Sequence, residues 1–233
     1  MGSKLREQVW WIDLIGVNAY LVDDGGTLTL VDAGSPWDRR SVCRAITEVA
    51  GSVSAIDRIL LTHYDIDHVG TLASLETLDA PIYIGRADRP YLTGEKKPSW
   101  RVQKEAFQRA VDWLREPPSL PVKPVDDGDE IGSFRAYHAP GHTPGHTVFV
   151  SETLSVGFLG DLVRESGGEY VVPPRLICHD YEQIKRDILR LAEELPEFEA
   201  GCQGHGVPFK EHGRNRLVEC ARQLKQKEDI SPA

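Results

Sequence analysis

The segment LLTHYDIDHVG, residues 60–70, sets His63, Asp65, Asp67 and His68 within a few positions of one another, directly behind the apolar residues 59–61. Imidazole and carboxylate together are ligand types that suit zinc, iron or manganese. Three more segments deliver ionisable residues just past a β-prone run: His142 in APGHTPGH, Asp161 in FLGD and His205 in QGHG. Each has a plainer explanation when taken alone. A lone histidine beside a strand is usually hydrogen-bonded, and Asp65, Asp67 or Asp161 could open or cap the segment that follows it. Coincidence of type and place favours a shared site. Two carboxylates about 4 Å apart repel by about 4 kcal/mol at an effective dielectric of about 20, so three converging in a cleft call for neutralisation. Divalent cations provide it.

Such a cluster needs a rigid support, and α/β sheets gather their chemistry on loops at the strand ends. Residues 9–34 read as a β-meander, with VNAYLV and TLTLVDAG joined by the turn-forming DDGG. SPWDRRSVCRAITEVAG predicts a helix with Ser35 as cap, Pro36 at its first position and Gly51 at its end. IDRILLTH is then a strand apolar on both faces, GTLASLETL a helix and PIYIG a strand. A second series, EIGSFRAYHAPGH, HTVFVSE and LSVGFLGD, reads as strands. It is followed by the helix YEQIKRDILRLAEEL, the strand FEAGCQGHG and the closing helix GRNRLVECARQLKQKE. Two mixed halves imply two sheets packed face to face with helices outside, all within one domain spanning 1–233.

Residues 86–120 break this rhythm. Arg86, Arg89, Lys96, Lys97, Arg101, Lys104, Arg109 and Arg115 make the segment locally basic, while Trp100, Phe107, Val111 and Leu114 recur at helical steps. EPPSLPVKP ends the helix, because proline cannot continue it. The expectation is a helical cap over the site. It would offer Trp100, Phe107 and Trp113 to the apolar part of a substrate and Arg or Lys side chains to an anionic part. The plainer reading is a solvated basic face.

Bulk properties narrow the field. A net charge of −9 over 233 residues argues against a nucleic-acid binder, which needs a basic footprint. No run of ~18 apolar residues would span a membrane. MGSKLREQ lacks an apolar signal-peptide core, and Cys43, Cys178, Cys202 and Cys220 form no CxxC pair. The expectation is a cytoplasmic protein with reduced thiols and a small-molecule substrate; nothing in the sequence indicates an oligomeric state.

THYDIDHVG, APGHTPGHT, GD and GHG, in this order and behind strands, resemble the metal-binding motifs of the metallo-β-lactamase superfamily. VNAYLVDDGGTLTLVDAGSP is similar to that family's N-terminal meander, so the likeness runs over most of 9–210. The resemblance implies an αββα sandwich of two mixed β-sheets flanked by helices, with two divalent metal ions at one edge. Zinc is the first expectation, and Fe or Mn fits the same ligands. Position by position, His63, Asp65 and His142 would hold one ion, and Asp67, His68 and His205 the other. Asp161 would bridge them, Asp67 would also act in catalysis by holding the attacking water, and His146 would stand behind the ligands. His138 is left as a strand residue, and His179 and His212 as surface residues.

Position 65 departs from the family's usual His-x-His-x-Asp-His, a carboxylate standing where an imidazole does, as a Glu does in flavodiiron proteins. In an idealised tally, two dications are balanced by Asp65, Asp67, Asp161 and one hydroxide. The shell is then neutral, which implies weaker acidification of the water and more tolerance for Fe or Mn. The activity implied is metal-dependent hydrolysis of an ester, thioester or lactone, with Tyr64, Tyr170 and Tyr181 as proton donors by type alone. Features of other branches are not visible: an export signal, an RNA-binding extension, a flavin domain or a helical C-terminal domain. Iron-dependent oxygenase chemistry of the persulfide dioxygenase type is the alternative on this fold. A metal-binding module without turnover is the third.

Overall fold

The computed structural model describes residues 2–75, 79–114 and 116–230. Its first sheet opens with β1 (Gly2–Arg6), β2 (Val9–Asp13), β3 (Asn18–Asp24) and β4 (Thr27–Val31), each antiparallel to the one before. Asp24 pairs with Thr27 across Gly25 and Gly26, whose φ values of 64° and 91° are those a two-residue hairpin of this hand requires. α1 (Arg39–Ala50) then crosses to β5 (Arg58–Leu61), which runs parallel to β4. α2 (Ile66–Val69) leads on to β6 (Ile82–Gly85), and α3 (Arg89–Leu92) and α4 (Gln103–Val111) precede β7 (Val122–Val125). β5, β6 and β7 are parallel, completing a seven-stranded sheet in chain order.

The second sheet begins with β8 (Glu130–Ile131), β9 (Phe134–His138), β10 (Thr147–Ser151) and β11 (Val156–Gly160). A small hairpin of β12 (Arg164–Ser166) and β13 (Glu169–Val171) follows, then α5 (Tyr181–Glu194), β14 (Ala200–Gln203) and α6 (Gly213–Ile230). Its order is β14-β11-β10-β9-β8, with β14 parallel to β11 and the other pairs antiparallel.

Alternation along the strands sorts side chains into three layers. Tyr20 and Val22 of β3 meet Phe149 of β10 and Phe158 of β11 between the sheets. The intervening Ala19 and Leu21 face the other way, into a core with Val42, Ala45 and Ile46 of α1. Val148 and Val150 likewise pack with Ile184, Ile188 and Leu191 of α5 and Leu217 of α6. This is the expected αββα sandwich of two mixed sheets.

The differences from the sequence reading are local. α1 begins at Arg39 because the Asp38 carboxylate accepts the Ser35 N–H and closes a turn over 35–38. The expected helix GTLASLETL is a short 3₁₀ turn, Leu72–Leu75, and its continuation at 76–78 lies outside the described residues, as does Arg115. β1, β7 and the β12–β13 hairpin were not anticipated. β7 contains Pro124, which is tolerated because the strand is at the sheet's edge.

Phe149 is fully buried between the sheets, opposite Ala136 and Phe158. Phe149→Ala is expected to cost about 3–5 kcal/mol, read as a lower urea midpoint with an unchanged slope.

Candidate metal centre

The chemistry-bearing residues meet at the C-terminal ends of β4, β5, β11 and β14 and in the β9–β10 loop. His63 follows β5, Asp65 stands just before α2, and Asp67 and His68 lie within that helix. His142 sits in the β9–β10 loop, Asp161 directly follows β11 and His205 follows β14. His63, His142 and Asp161 offer ligand atoms that lie within 4.8 Å of one another, and so do Asp67, His68 and His205. Asp161 lies between the groups. Its Oδ1 is 3.6 Å from His68 Nε2, and its Oδ2 is 3.4 Å from His142 Nε2 and 3.1 Å from His205 Nε2.

His63 Nε2, His68 Nε2 and Asp161 Oδ1 are buried without a hydrogen-bond partner. Leaving such atoms unsatisfied typically costs ≈ 1–3 kcal/mol each. Their types and convergence fit a divalent cation.

The opposite edges of these rings are engaged. Asp32, at φ 55° just past β4, has its carboxylate 2.8 Å from His68 Nδ1 and accepts from the Thr62 N–H and hydroxyl at 2.9 and 2.8 Å. Thr62 Oγ1 in turn lies 2.9 Å from His63 Nδ1. His63 and His68 therefore both aim Nε2 into the cluster. The Asp161 N–H donates to His146 Nε2 at 3.0 Å, which places His146 behind the carboxylate. Gly204 leaves the room required, since a Cβ there would lie 2.2 Å from Asp161 Oδ1 and 2.7 Å from His68 Cε1. Asp88 steadies the loop carrying His142 by accepting from the Thr143 hydroxyl and the Gly145 N–H. Burial pushes its carboxyl up to about 7 despite those bonds. Neither Asp32 nor Asp88 stood out in the sequence; the only signal was that Asp32, in VDAG, also ends a β-prone run.

Asp65 has a partner that the sequence reading missed. Lys104 Nζ, on α4, lies 2.7 Å from Asp65 Oδ2 and donates to the His142 carbonyl at 2.8 Å. Asp65 Oδ2 is also 3.1 Å from His142 Nε2 and 3.4 Å from His63 Nε2. The neutral tally drawn from Asp65 alone therefore omitted a buried positive charge, and the expected weakening of water acidification loses its basis.

α4 inverts the expected amphipathic pattern. Its buried face is Lys104, Glu105 and Gln108, whereas Phe107 is exposed. Each buried polar group is satisfied: Glu105 accepts from the Ser99 N–H and pairs with His179, and Gln108 accepts from the Ile66 N–H. The helix docks on the charged site rather than on an apolar core, so apolar spacing pointed to the wrong face.

A cavity of about 460 Å³ opens over the cluster, lined by Asp65, Asp67, His142, Asp161 and His205 together with Lys104, Phe107, Arg164, Leu176 and Ile177. Of the aromatic residues expected in the cap, Phe107 reaches this cavity. Trp100 and Trp113 do not: both are exposed, and Trp113 lines a separate hollow with Lys97 and Pro117. The tyrosines named by type lie elsewhere too. Tyr64 is buried and stacked on Tyr91, and Tyr170 packs against Phe209 in the core beneath α6. Tyr181 packs at the start of α5. His138 ends β9 and His212 is exposed, but His179, read as surface, is half-buried against Glu105 next to His142. Cys202 lies in the core between the sheets, its thiol pushed up by burial.

The imidazoles divide electrostatically. Burial, reinforced by His68, pushes His63 down to about 4, and burial with Lys104 lowers His142. Burial and the neighbouring His63 hold His146 well below the usual range. His68 goes the other way: burial opposes charge, but Asp32 overcomes it and raises the ring to about 10. Burial likewise opposes ionisation of Asp65 and Asp161. Lys104 and His63 nevertheless hold Asp65 well below the usual carboxylate range, and His205 and His142 do the same for Asp161.

Residues 12–205 match the sequence pattern of the metallo-beta-lactamase superfamily. The chain belongs to that superfamily. It is 29% identical over 224 residues to the probable metallo-hydrolase YflN of Bacillus subtilis (strain 168), covering 85% of this chain and 83% of that protein. It is 28% identical over 162 residues to the atrochrysone carboxyl ACP thioesterase of Aspergillus fumigatus, covering 68% of this chain and 32% of that one. Among solved structures, TTHA1623 in a di-iron-bound form is 30% identical with a TM-score of 0.64, covering 86% of this chain and 93% of that chain. The protein is thus an enzyme of the metallo-hydrolase class within a metal-dependent superfamily. No described helix is long and apolar enough to cross a membrane.

His68 carries a proton in the metal-free protein that a cation at its Nε2 must displace. Zinc titrations at pH 7 in buffers of different ionisation enthalpy are expected to show proton release, with affinity rising as pH increases towards about 10. In the metal-free state, His68, raised from 6.5 to about 10, contributes stability that is complete below pH 6.5 and lost as pH rises through about 10. The melting temperature of metal-free protein should fall over that window.

Proposed function

We propose that the protein is a dinuclear metallo-hydrolase that cleaves an ester, thioester or lactone of a small molecule. The observation that carries this reading is the pair of donor groups, His63/His142/Asp161 and Asp67/His68/His205, which reach the wall of one cavity of about 460 Å³ through His142, Asp161, Asp67 and His205. Asp65 adjoins the first group, Asp161 lies between the two, and His146 supports Asp161. Zinc is the proposed resident ion. Two cations held there supply Lewis acidity towards a carbonyl and water of lowered pKa.

The chain's own residues then divide the remaining tasks. Asp67 is half-buried on the cavity wall, its Oδ2 3.6 Å from His205 Nε2, so it is placed to orient a water and take its proton. Phe107, Leu176 and Ile177 give an apolar wall for an acyl portion. Helix α4 within 86–120 roofs the cavity as a docked cap. Arg164 lines the same space half-buried, and no described residue hydrogen-bonds or ion-pairs with its side chain, so the guanidinium is available to an anionic substituent. The volume suits a small molecule, and the cytoplasm is the proposed compartment. The thioesterase relative supports the thioester branch. A second reading, iron-dependent oxygenase chemistry, draws on the di-iron-bound form of TTHA1623.

Metal content per chain, measured on protein purified without added metal or chelator, separates the two. About two zincs, with chelator-sensitive turnover on an ester, thioester and lactone panel, is the expected outcome. Bound iron with oxygen consumption and no hydrolysis would overturn it. Arg164→Ala is expected to raise KM roughly tenfold, about 1.4 kcal/mol, for carboxylate-bearing substrates while leaving neutral esters and kcat little changed.

A further inference from the structure

We propose that the edge of the sandwich around the cavity mouth is a membrane-docking face that seats on an anionic phospholipid bilayer. The first observation is where the exposed apolar side chains stand. Ile15, Trp37 and Val207 are between 59% and 92% exposed, each on a loop that borders the cluster. The Gly16 carbonyl next to Ile15 meets His205 Nδ1, and Val207 follows His205 by two residues. The 35–38 turn bearing Trp37 lies on the end of α2, where a Cβ at Gly70 would be 2.3 Å from Pro36. Phe107 and Leu176 line the cavity itself and are still 64% and 61% exposed. Exposed apolar side chains gathered at one place mark an interaction surface. Helix α4 has the same sense. Its buried side is Lys104, Glu105 and Gln108, so its outer side presents Phe107, Ala110 and, in the 3₁₀ turn Asp112–Leu114, Trp113. An apolar side turned to solvent above a polar one is the pattern of an interfacial helix.

Charge selects the occupant. Arg39 and Arg40 follow Trp37, Arg101 follows Trp100, and Lys97 and Arg109 line a hollow with Trp113. Among the described residues no carboxylate pairs with Arg39, Arg40 or Arg101, and Lys97 and Arg109 share one, Asp112, at 3.9 and 3.7 Å. The chain as a whole carries −9, so an anionic surface attracts this edge and repels the rest, which fixes the orientation. Indole rings settle at headgroup depth and Lys and Arg meet lipid phosphates. A protein partner fits less well. The apolar residues lie on several separate segments around an open cavity, which lipid covers without a matching shape, and lysine is depleted in protein interfaces. No described helix is long and apolar enough to cross a membrane, so the contact is peripheral. Resting on the hydrolase reading, the substrate narrows to an ester, thioester or lactone with an apolar tail, drawn from the lipid past Phe107 and Leu176.

The test is cosedimentation of the protein, as purified, with vesicles of phosphatidylcholine containing about 30% phosphatidylglycerol. Binding is expected, roughly tenfold weaker on phosphatidylcholine alone and falling as salt is raised. Lipids brominated in the acyl chains should quench the tryptophan emission, a reading that needs no variant. Trp100→Ser with Trp113→Ser, and separately Arg39→Glu with Arg40→Glu, should each weaken vesicle binding roughly tenfold or more. All four side chains are exposed, so melting temperature and hydrolysis of a water-soluble ester should stay unchanged. No cosedimentation with anionic vesicles, equal binding to neutral ones, or variants that bind as the wild type does would each overturn the proposal. Retention on poly-L-glutamate with no vesicle binding would assign the face to an acidic protein instead, and overturn it too. Vesicle binding without hydrolysis of any ester, thioester or lactone would sink the hydrolase reading and leave the docking face standing. Hydrolysis of soluble esters by a protein that ignores vesicles would do the reverse.

Discussion

The structure is organised around one electrostatic constraint: acidic and imidazole groups are packed out of water at a single edge of the sandwich. Asp32, Asp65 and Asp161 are all nearly inaccessible there, as are His63, His68, His142 and His146. Burial disfavours the charged form of Asp65, Asp161 and the four imidazoles, so these carboxylates need positive neighbours and each imidazole a defined second contact. Thr62 and Asp32 are the contacts for His63 and His68, and His146 meets the Asp161 N–H. What remains unsatisfied, notably Asp161 Oδ1 and two Nε2 atoms, points to the same small space. A cation is the species that resolves all of these at once.

Holding such a cluster requires a frame that does not relax around it. The two sheets meet through aromatic side chains of β3, β10 and β11, and polar cross-links reinforce the packing near the site. The Tyr20 hydroxyl and the Asn18 side-chain amide donate to the Gln203 carbonyl, and the Asn18 N–H donates to that of Gly204. These bonds join the first sheet to the strand end that presents His205. Position and chemistry are thus coupled: the interval between Asp161 and His68 exists only because residue 204 has no side chain.

Much of this was legible from the sequence because its two strongest signals are local. Strand periodicity located β2 to β6 and β9 to β11, and the ionisable residues after those strands marked the segments that the fold brings together. What could not be read depended on contacts between distant segments. Lys104 looked like one more member of a basic stretch, since nothing in residues 86–120 reveals that Asp65 lies opposite it. Apolar periodicity assumes an apolar partner surface. For α4 the partner is the charged site, so the apolar spacing of Trp100, Phe107, Val111 and Leu114 did not mark its buried face, and of the aromatic residues expected over the site Trp100 and Trp113 lie elsewhere. Asp32 was hidden for a related reason, because its role is defined by His68, well beyond it in the chain.

Position 65 shows why the charge of such a cluster cannot be judged from its motif residues alone. Exchanging imidazole for carboxylate adds a negative charge, and by itself that would make the shell less electrophilic. The buried ammonium of Lys104 offsets the added charge, so the exchange and the lysine act as a unit. They are not equivalent to the histidine, however. A histidine at this position brings one neutral donor and no net charge, whereas the Asp65–Lys104 pair brings a donor that is already engaged and a cation fixed 2.7 Å from it. The total charge is similar, but its distribution is not, because the positive end lies on the side of His142. The two donor groups, alike in their donor counts, therefore differ in the charges set beside them. That asymmetry follows from α4, which lies outside every metal-binding motif.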